Sequence, residues 1–269
     1  MVFHQRSFNA GDYLVAIREF LSSRQVFTAE DFAAQFPGSQ TDRNLLSRAV
    51  ANGSVDKVRR GVYVSKVGRF TGVAADPRDV ALAVAPDAVL SFTSALQLLG
   101  VAHNLTRQVQ FFTSTSVRTF DYDGTRYLPY RTHGAFKAAQ SILTPAGRSY
   151  QVTSKEQTVI DCLTNVAAAG GPDNLAHSLA GLPQLDTNLA IVSAANAAHS
   201  VRARLGWVLD TKRGDWRVPD GTLTMLFSSL GAGPYYFWSA TAPKDSYWVR
   251  RWKLYLPHPE QEMASWLTS

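Results

Sequence analysis

The chain has 269 residues, 45% of them hydrophobic and 11% aromatic, which is enough apolar material for one large domain or two ordinary ones and excludes wholesale disorder. Its net charge of +6 and pI near 9.5 suit a polyanionic partner without requiring one. A single cysteine, Cys162, excludes an intramolecular disulfide, and no Cys/His spacing matches a zinc site. The opening residues lack the apolar core of a signal peptide, and no apolar run reaches the ~20 residues that span a bilayer. The expectation is therefore a cytoplasmic protein with no membrane partner.

In chain order, residues 10–23 predict a first helix, with Leu14, Ile17, Phe20 and Leu21 on one face. Thr28 with Asp31, and Ser39 with Asp42, each fit the hydroxyl-x-x-acid start of a helix, and Pro37-Gly38 makes the break between the two. In the later helix Leu45, Leu46, Ala49 and Val50 form an inward stripe, which leaves Arg43, Asn44, Ser47 and Arg48 on the opposite face. Asn52-Gly53 stops that helix. Residues 55–64 then read as a β-ribbon whose tip is Arg59-Arg60-Gly61. Three helices followed by a ribbon spell a winged helix-turn-helix over residues 1–70. Between residues 41 and 69 seven cations face two acids, a local balance of +5, which is the electrostatic footprint of a duplex-DNA binder. The alternative is a winged helix used for protein contacts, with its charges solvated.

Residues 67–75 are small and aperiodic and read as the linker to a second, larger mixed domain over 76–269. Asp76-Pro77 starts its first helix. Residues 88–92 suit a short strand or the approach to a helix, 94–99 a helix stopped by Gly100, and 109–113 a strand. Asp123-Gly124 is a hairpin signal between strands 117–122 and 125–131. Helices follow at 153–168, 173–179, 188–199 and 201–209, then a strand at 246–256 and a helix at 260–267. The fold class is α+β.

Chemistry is sparse. No histidine pair has metal-ligand spacing, and Cys162 sits mid-helix among apolar residues as an inert thiol. Neither a phosphate loop nor a nucleophile elbow is present. The acids nearest to a nuclease constellation are Asp210 with Lys212 and Asp215 with Asp220, and neither falls on a strand-end pair. No catalytic residue, metal or cofactor is expected. Residues 244–255 interleave cations with aromatics, a composition that suits a nucleic acid or an acidic protein face. The favoured reading there is a strand with Trp248, Trp252 and Leu254 packed inward on one face.

The chain resembles the AbiEi family, antitoxins of type IV (abortive infection) toxin–antitoxin systems. The likeness rests on Phe27–Phe32, Leu45–Val50 and Val58–Val64 in the winged helix. Beyond it, the cues are Ser91–Leu96 leading to Gly100, Ser154–Asp161 and Ala203–Leu209. The resemblance implies a winged helix that represses its own operon at inverted repeats, and a second domain that neutralises a nucleotidyltransferase-like toxin, not necessarily by direct binding. On it the DNA contacts fall on Arg43, Asn44, Ser47 and Arg48 of the recognition helix and on Lys57, Arg59 and Arg60 of the wing. It transfers no antitoxin residue in the second domain; Arg202, Arg204 and Arg250 are candidates by charge. Two other classes stay open: a winged helix that delivers a nuclease-like domain to DNA, and a repressor whose second domain senses a small effector.

Overall fold

The computed structural model describes residues 10–36, 41–132, 138–238 and 245–268, without the side chains of 10–12 and 41–43. It is an α+β protein that divides into two compact units. The first comprises residues 1–87 together with 120–127, and the second the remainder. No helix among the described residues is long and apolar enough to cross a membrane.

The first unit opens with α1 (Ala10–Ser23), β1 (Val26–Thr28), α2 (Ala29–Gln35), α3 (Thr41–Ala51), β2 (Val55–Arg59) and β3 (Val62–Ser65). The three strands form an antiparallel sheet in the order β1-β3-β2. This is the winged-helix arrangement that the sequence pattern predicts. Thr28 and Asp31 form the expected reciprocal capping box at the start of α2. The Ser39–Asp42 cap and the Pro37-Gly38 break lie outside the described residues or side chains. The core of the unit is aromatic: Phe20 meets Phe27, Phe32 and Phe36 edge-on, with Leu21, Leu46 and Val55 filled in around them. Such edge-to-face packing fixes ring orientation as well as burying area.

The unit does not stop at residue 70. A turn of 3₁₀ helix (Gly68–Phe70) leads to α4 (Pro77–Val84), capped by Asp76. Val80 and Ala81 are fully buried, and α4 packs on β1 and β3. The first compact unit thus runs on past the linker region at 67–75 to Asp87, because α4 packs on two strands of the winged-helix sheet. The predicted hairpin forms as β6 (Phe120–Tyr122) and β7 (Thr125–Arg131), and its residues through Tyr127 belong to this first unit as well.

In the second unit, β4 (Val89–Leu90), β5 (Gln108–Thr113), β8 (Ala139–Leu143) and β9 (Ser149–Thr153) belong to the six-stranded sheet of order β6-β7-β5-β4-β9-β8. The pair β8–β9 was not expected from the sequence. Helices α5 (Phe92–Leu98), α6 (Lys155–Thr164), α7 (Pro172–Ala180), α8 (Thr187–Ala194), α9 (His199–Thr211), α10 (Asp220–Ser228) and α11 (Glu260–Thr268) share one large core that includes Leu163, Leu175, Leu205, Trp207, Leu223 and Trp252. A small sheet, β10 (Tyr235–Tyr236), β12 (Leu254–Leu256) and β11 (Tyr247–Val249) in that order, lies against α9.

Three segments, around Thr93, Glu156 and Arg204, fasten this unit. The Gln110 side-chain carbonyl accepts from Thr93 N and from the Thr93 hydroxyl, and its amide donates to Ala168 O at 2.8 Å. Glu156 accepts from the backbone of Asp186. Arg204, half-buried, donates to Leu163 O and twice to Tyr236 O. Gly206 faces Trp252 so closely that a β-carbon there would fall 2.1 Å from the indole.

Candidate nucleic-acid interface

Helix α3 sits on the aromatic core through Leu46, which is buried, and through Ala49 and Val50, which are half-buried. Helical periodicity then turns Asn44, Ser47 and Arg48 outward, and all three are exposed. Arg43 lies in α3, with its side chain outside the described residues. Gly53, at φ +74°, ends the helix in the left-handed conformation expected of it. Asn52 braces the turn by accepting from Ser54 N at 3.0 Å. One face of α3 thus offers an amide, a hydroxyl and a guanidinium in a row, the groups that pair with base edges and phosphates.

The wing is less uniform than its sequence. Lys57 and Arg60 are exposed. Arg59 is not: an irregularity in the β2–β3 register between Lys57 and Arg59 turns its side chain away, and its guanidinium lies over the Phe120 ring at 5.1 Å. Phe120 is itself stacked on Tyr127 with centroids 4.4 Å apart. Asp56 anchors the same hairpin by accepting from the Tyr122 hydroxyl at 3.3 Å while paired with Lys66 at 2.7 Å. Burial, reinforced by the Asp56 charge, pushes the Tyr122 phenol well above its usual range, so it stays a donor. Arg59 is half-buried, held by an aromatic ring from a hairpin some 60 positions away in sequence.

Two other cations of the segment are also engaged. Lys66 holds Asp56, and Arg69 donates to Ser23 O at 2.8 Å while covering Phe70. The first unit as a whole carries twelve Lys and Arg against eleven Asp and Glu, a balance of +1, whereas the second carries fifteen against ten, or +5. The basic surplus read in residues 41–69 is therefore local to that stretch of chain, because α1, α2, α4 and the hairpin bring acids to the same unit. On α2, burial works to raise the Asp31 carboxyl, but the Thr28 backbone and hydroxyl hydrogen bonds and the Arg24 charge together hold it below the usual range.

The acids that the sequence placed nearest to a nuclease constellation each have a cationic partner. Asp210 pairs with Arg251 and accepts from the Trp252 indole, Lys212 pairs with Asp215 at 2.7 Å, and Asp220 pairs with Arg213. Among the described residues no three His, Cys, Asp or Glu side chains cluster to hold a metal ion. Cys162 is fully buried, and that burial pushes its thiol up, away from thiolate chemistry. Asp161 stands apart. Burial raises its carboxyl to about 7, Gln157 donates to Oδ1 at 2.8 Å, and Oδ2 is buried with no hydrogen-bond partner.

The aromatic segment near the C-terminus departs from its predicted single strand. It folds back on itself through residues 250–253, so that β11 and β12 pair antiparallel. Trp252 and Leu254 are buried as expected, but Trp248 is turned outward and is 46% exposed. Of the three arginines singled out by charge in the second domain, Arg204 is a half-buried fastener, Arg202 reaches Ser229 O, and Arg250 is exposed.

No family model and no curated protein matches the chain. Among solved structures it is similar to the crystal structure of the Rv2827c protein from Mycobacterium tuberculosis, with a TM-score of 0.68 at 15% identity, covering 91% of this chain and 92% of that one. At this identity the likeness speaks for the fold, over nearly the full length of both chains.

Proposed function

We propose that the protein is a cytoplasmic, DNA-binding autorepressor and antitoxin of a type IV toxin–antitoxin system, antagonising a nucleotidyltransferase-like toxin. The observation that carries the DNA-binding part is the juxtaposition of an exposed polar face on α3, with Asn44, Ser47 and Arg48, and exposed cations on the neighbouring wing, Lys57 and Arg60. In this reading α3 enters the major groove, with Arg43, Asn44 and Arg48 reading base edges, and Lys57 and Arg60 meet phosphates. Arg59 shapes the wing rather than contacting DNA. The antitoxin part rests on the family resemblance and assigns neutralisation to the second unit.

The test measures binding of the full-length protein to its own upstream inverted repeats and, in parallel, rescue of cells from the toxin encoded alongside. Arg48→Ala should cost ~1–3 kcal/mol at the cognate repeat and less on random duplex. With Lys57→Ala and Arg60→Ala added, repression should be lost while rescue persists from an independent promoter. Equal loss on cognate and random DNA would remove Arg48 from base readout. Failure of the DNA-blind protein to rescue would overturn the division of roles.

A further inference from the structure

The small sheet of the second unit presents a face of aromatic rings. Its register places Tyr236 opposite Tyr255, and Tyr255 opposite Trp248, so that three rings cross the sheet side by side on β10, β12 and β11. Tyr236 and Tyr255 are stacked at 5.6 Å and 12°, and Trp248 meets Tyr255 at 4.8 Å. Strand alternation sends Val249, Leu254 and Leu256 to the opposite, buried face, which leaves the ring ladder outward. Trp248 remains nearly half exposed with no protein layer over it among the described residues.

The ladder is held rigid from below. Arg204 fixes the Tyr236 carbonyl with two hydrogen bonds, at 2.9 and 2.7 Å. Trp252 is locked between Gly206 and Asp210. The 250–253 turn brings Arg250 and Arg251 to an open cleft of about 530 Å³, whose other lining residues are Thr224 and the exposed ring of Phe227; Arg251 there is paired with Asp210. Arg250 is exposed, and Lys253 lies 5.8 Å from the Phe227 ring.

We infer that this face is a second nucleic-acid surface, one that binds single strands: an unpaired base stacks on Trp248, the exposed ring at the end of the ladder, and the phosphates meet Arg250, two residues further along the chain. Two properties select this occupant. An exposed indole backed by two further rings, with an exposed guanidinium two residues away, suits an unpaired base on a polyanion, since every base has a stacking face and a duplex hides it. The unit carries the chain's positive surplus, +5, which attracts a polyanion and disfavours docking of a second copy of the same unit. The inference does not depend on the winged helix, whose contacts are with duplex.

The experiment uses the full-length protein and fluorescein-labelled oligouridylate and oligothymidylate, read by anisotropy, with a mixed-sequence duplex for comparison. The expected result is saturable single-strand binding that Trp248→Ala weakens about ten-fold or more, that Trp248→Phe largely keeps, and that Arg250→Ala weakens with a smaller dependence on salt. A variant without the wing and α3 cations (Arg48→Ala, Lys57→Ala, Arg60→Ala) should retain single-strand binding while losing duplex. Because Trp248 is exposed, thermal melting should show Trp248→Ala as stable as the parent. Absence of binding, or binding unaffected by Trp248→Ala, would overturn the proposal. So would single-strand binding lost with the wing variant, or a Trp248→Ala effect confined to self-association in sedimentation or to capture of an acidic polypeptide such as polyglutamate. A failed duplex assay with an intact single-strand result would refute the winged-helix reading alone.

Discussion

Replacing Asp161 by Asn should remove most of a pH-dependent weakness from the second unit. Asp161 is 8% exposed as a residue; its carboxyl receives one hydrogen bond from Gln157 and has its other oxygen buried without a partner. Burial raises it from 3.8 to about 7. Well below pH 3.8 the folded and unfolded chains both hold the proton, and the residue is neutral to stability. As pH rises the unfolded chain ionises first while the folded one keeps its proton, so stability falls until the folded carboxyl also ionises near pH 7. A separation of about three pH units corresponds to ~4 kcal/mol, of which ~3 kcal/mol accrues between about pH 4.5 and 8. Asn keeps an acceptor for Gln157 and cannot ionise. Any fixed cost of its buried amide is the same at every pH, so the difference between the two proteins isolates the charge. Urea unfolding followed by tryptophan fluorescence across this range should show the variant gaining steadily on the parent, then levelling off above pH 7. Parallel stability curves for the two proteins would refute the reasoning and mean that water or a rearranged donor solvates Asp161 in the native state.

Gly206→Ala should destabilise the second unit by ~1–3 kcal/mol or more, because the new methyl would lie 2.1 Å from an indole that Asp210 holds by its N–H; an unchanged melting temperature would show that the ring tilts freely. Arg59→Ala should leave the salt dependence of duplex binding unchanged, whereas Lys57→Ala and Arg60→Ala should each lower the magnitude of its slope by roughly 0.9; a matching drop for Arg59 would return it to the interface. Phe120→Ala removes the ring beneath Arg59, an interaction worth ~0.5–2 kcal/mol, and should loosen the wing, read as faster amide exchange at residues 57–62. A fragment ending at Phe70 should be poorly folded and one ending at Asp87 better dispersed in its amide spectrum, since only the longer one carries Val80 and Ala81 to cover β1 and β3; equal dispersion would make α4 dispensable.

The sequence by itself determined whatever local physics governs. Thr28 and Asp31 satisfy one another's backbone across a single turn, so the start of α2 is written in four residues. The spacing of Leu46, Ala49 and Val50 orients α3 and exposes Asn44, Ser47 and Arg48, because a helix that buries one stripe must turn the other outward. Asp123-Gly124 makes its hairpin for the same kind of reason, with Asp123 at φ +48° and Gly124 at φ +69° as such a turn demands. Tertiary structure alone decided what non-local partners govern. Nothing near Arg59 in sequence distinguishes it from Arg60; a ring at position 120 does, so one is half-buried and the other faces solvent. Alternation along residues 246–256 cannot announce the reversal at 250–253 that sends Trp248 outward and Trp252 inward, because period two holds only while the strand continues. The domain boundary and the partition of charge likewise follow from α4 and the 120–127 hairpin packing on the winged helix, and burial against a distant surface leaves little trace in local pattern.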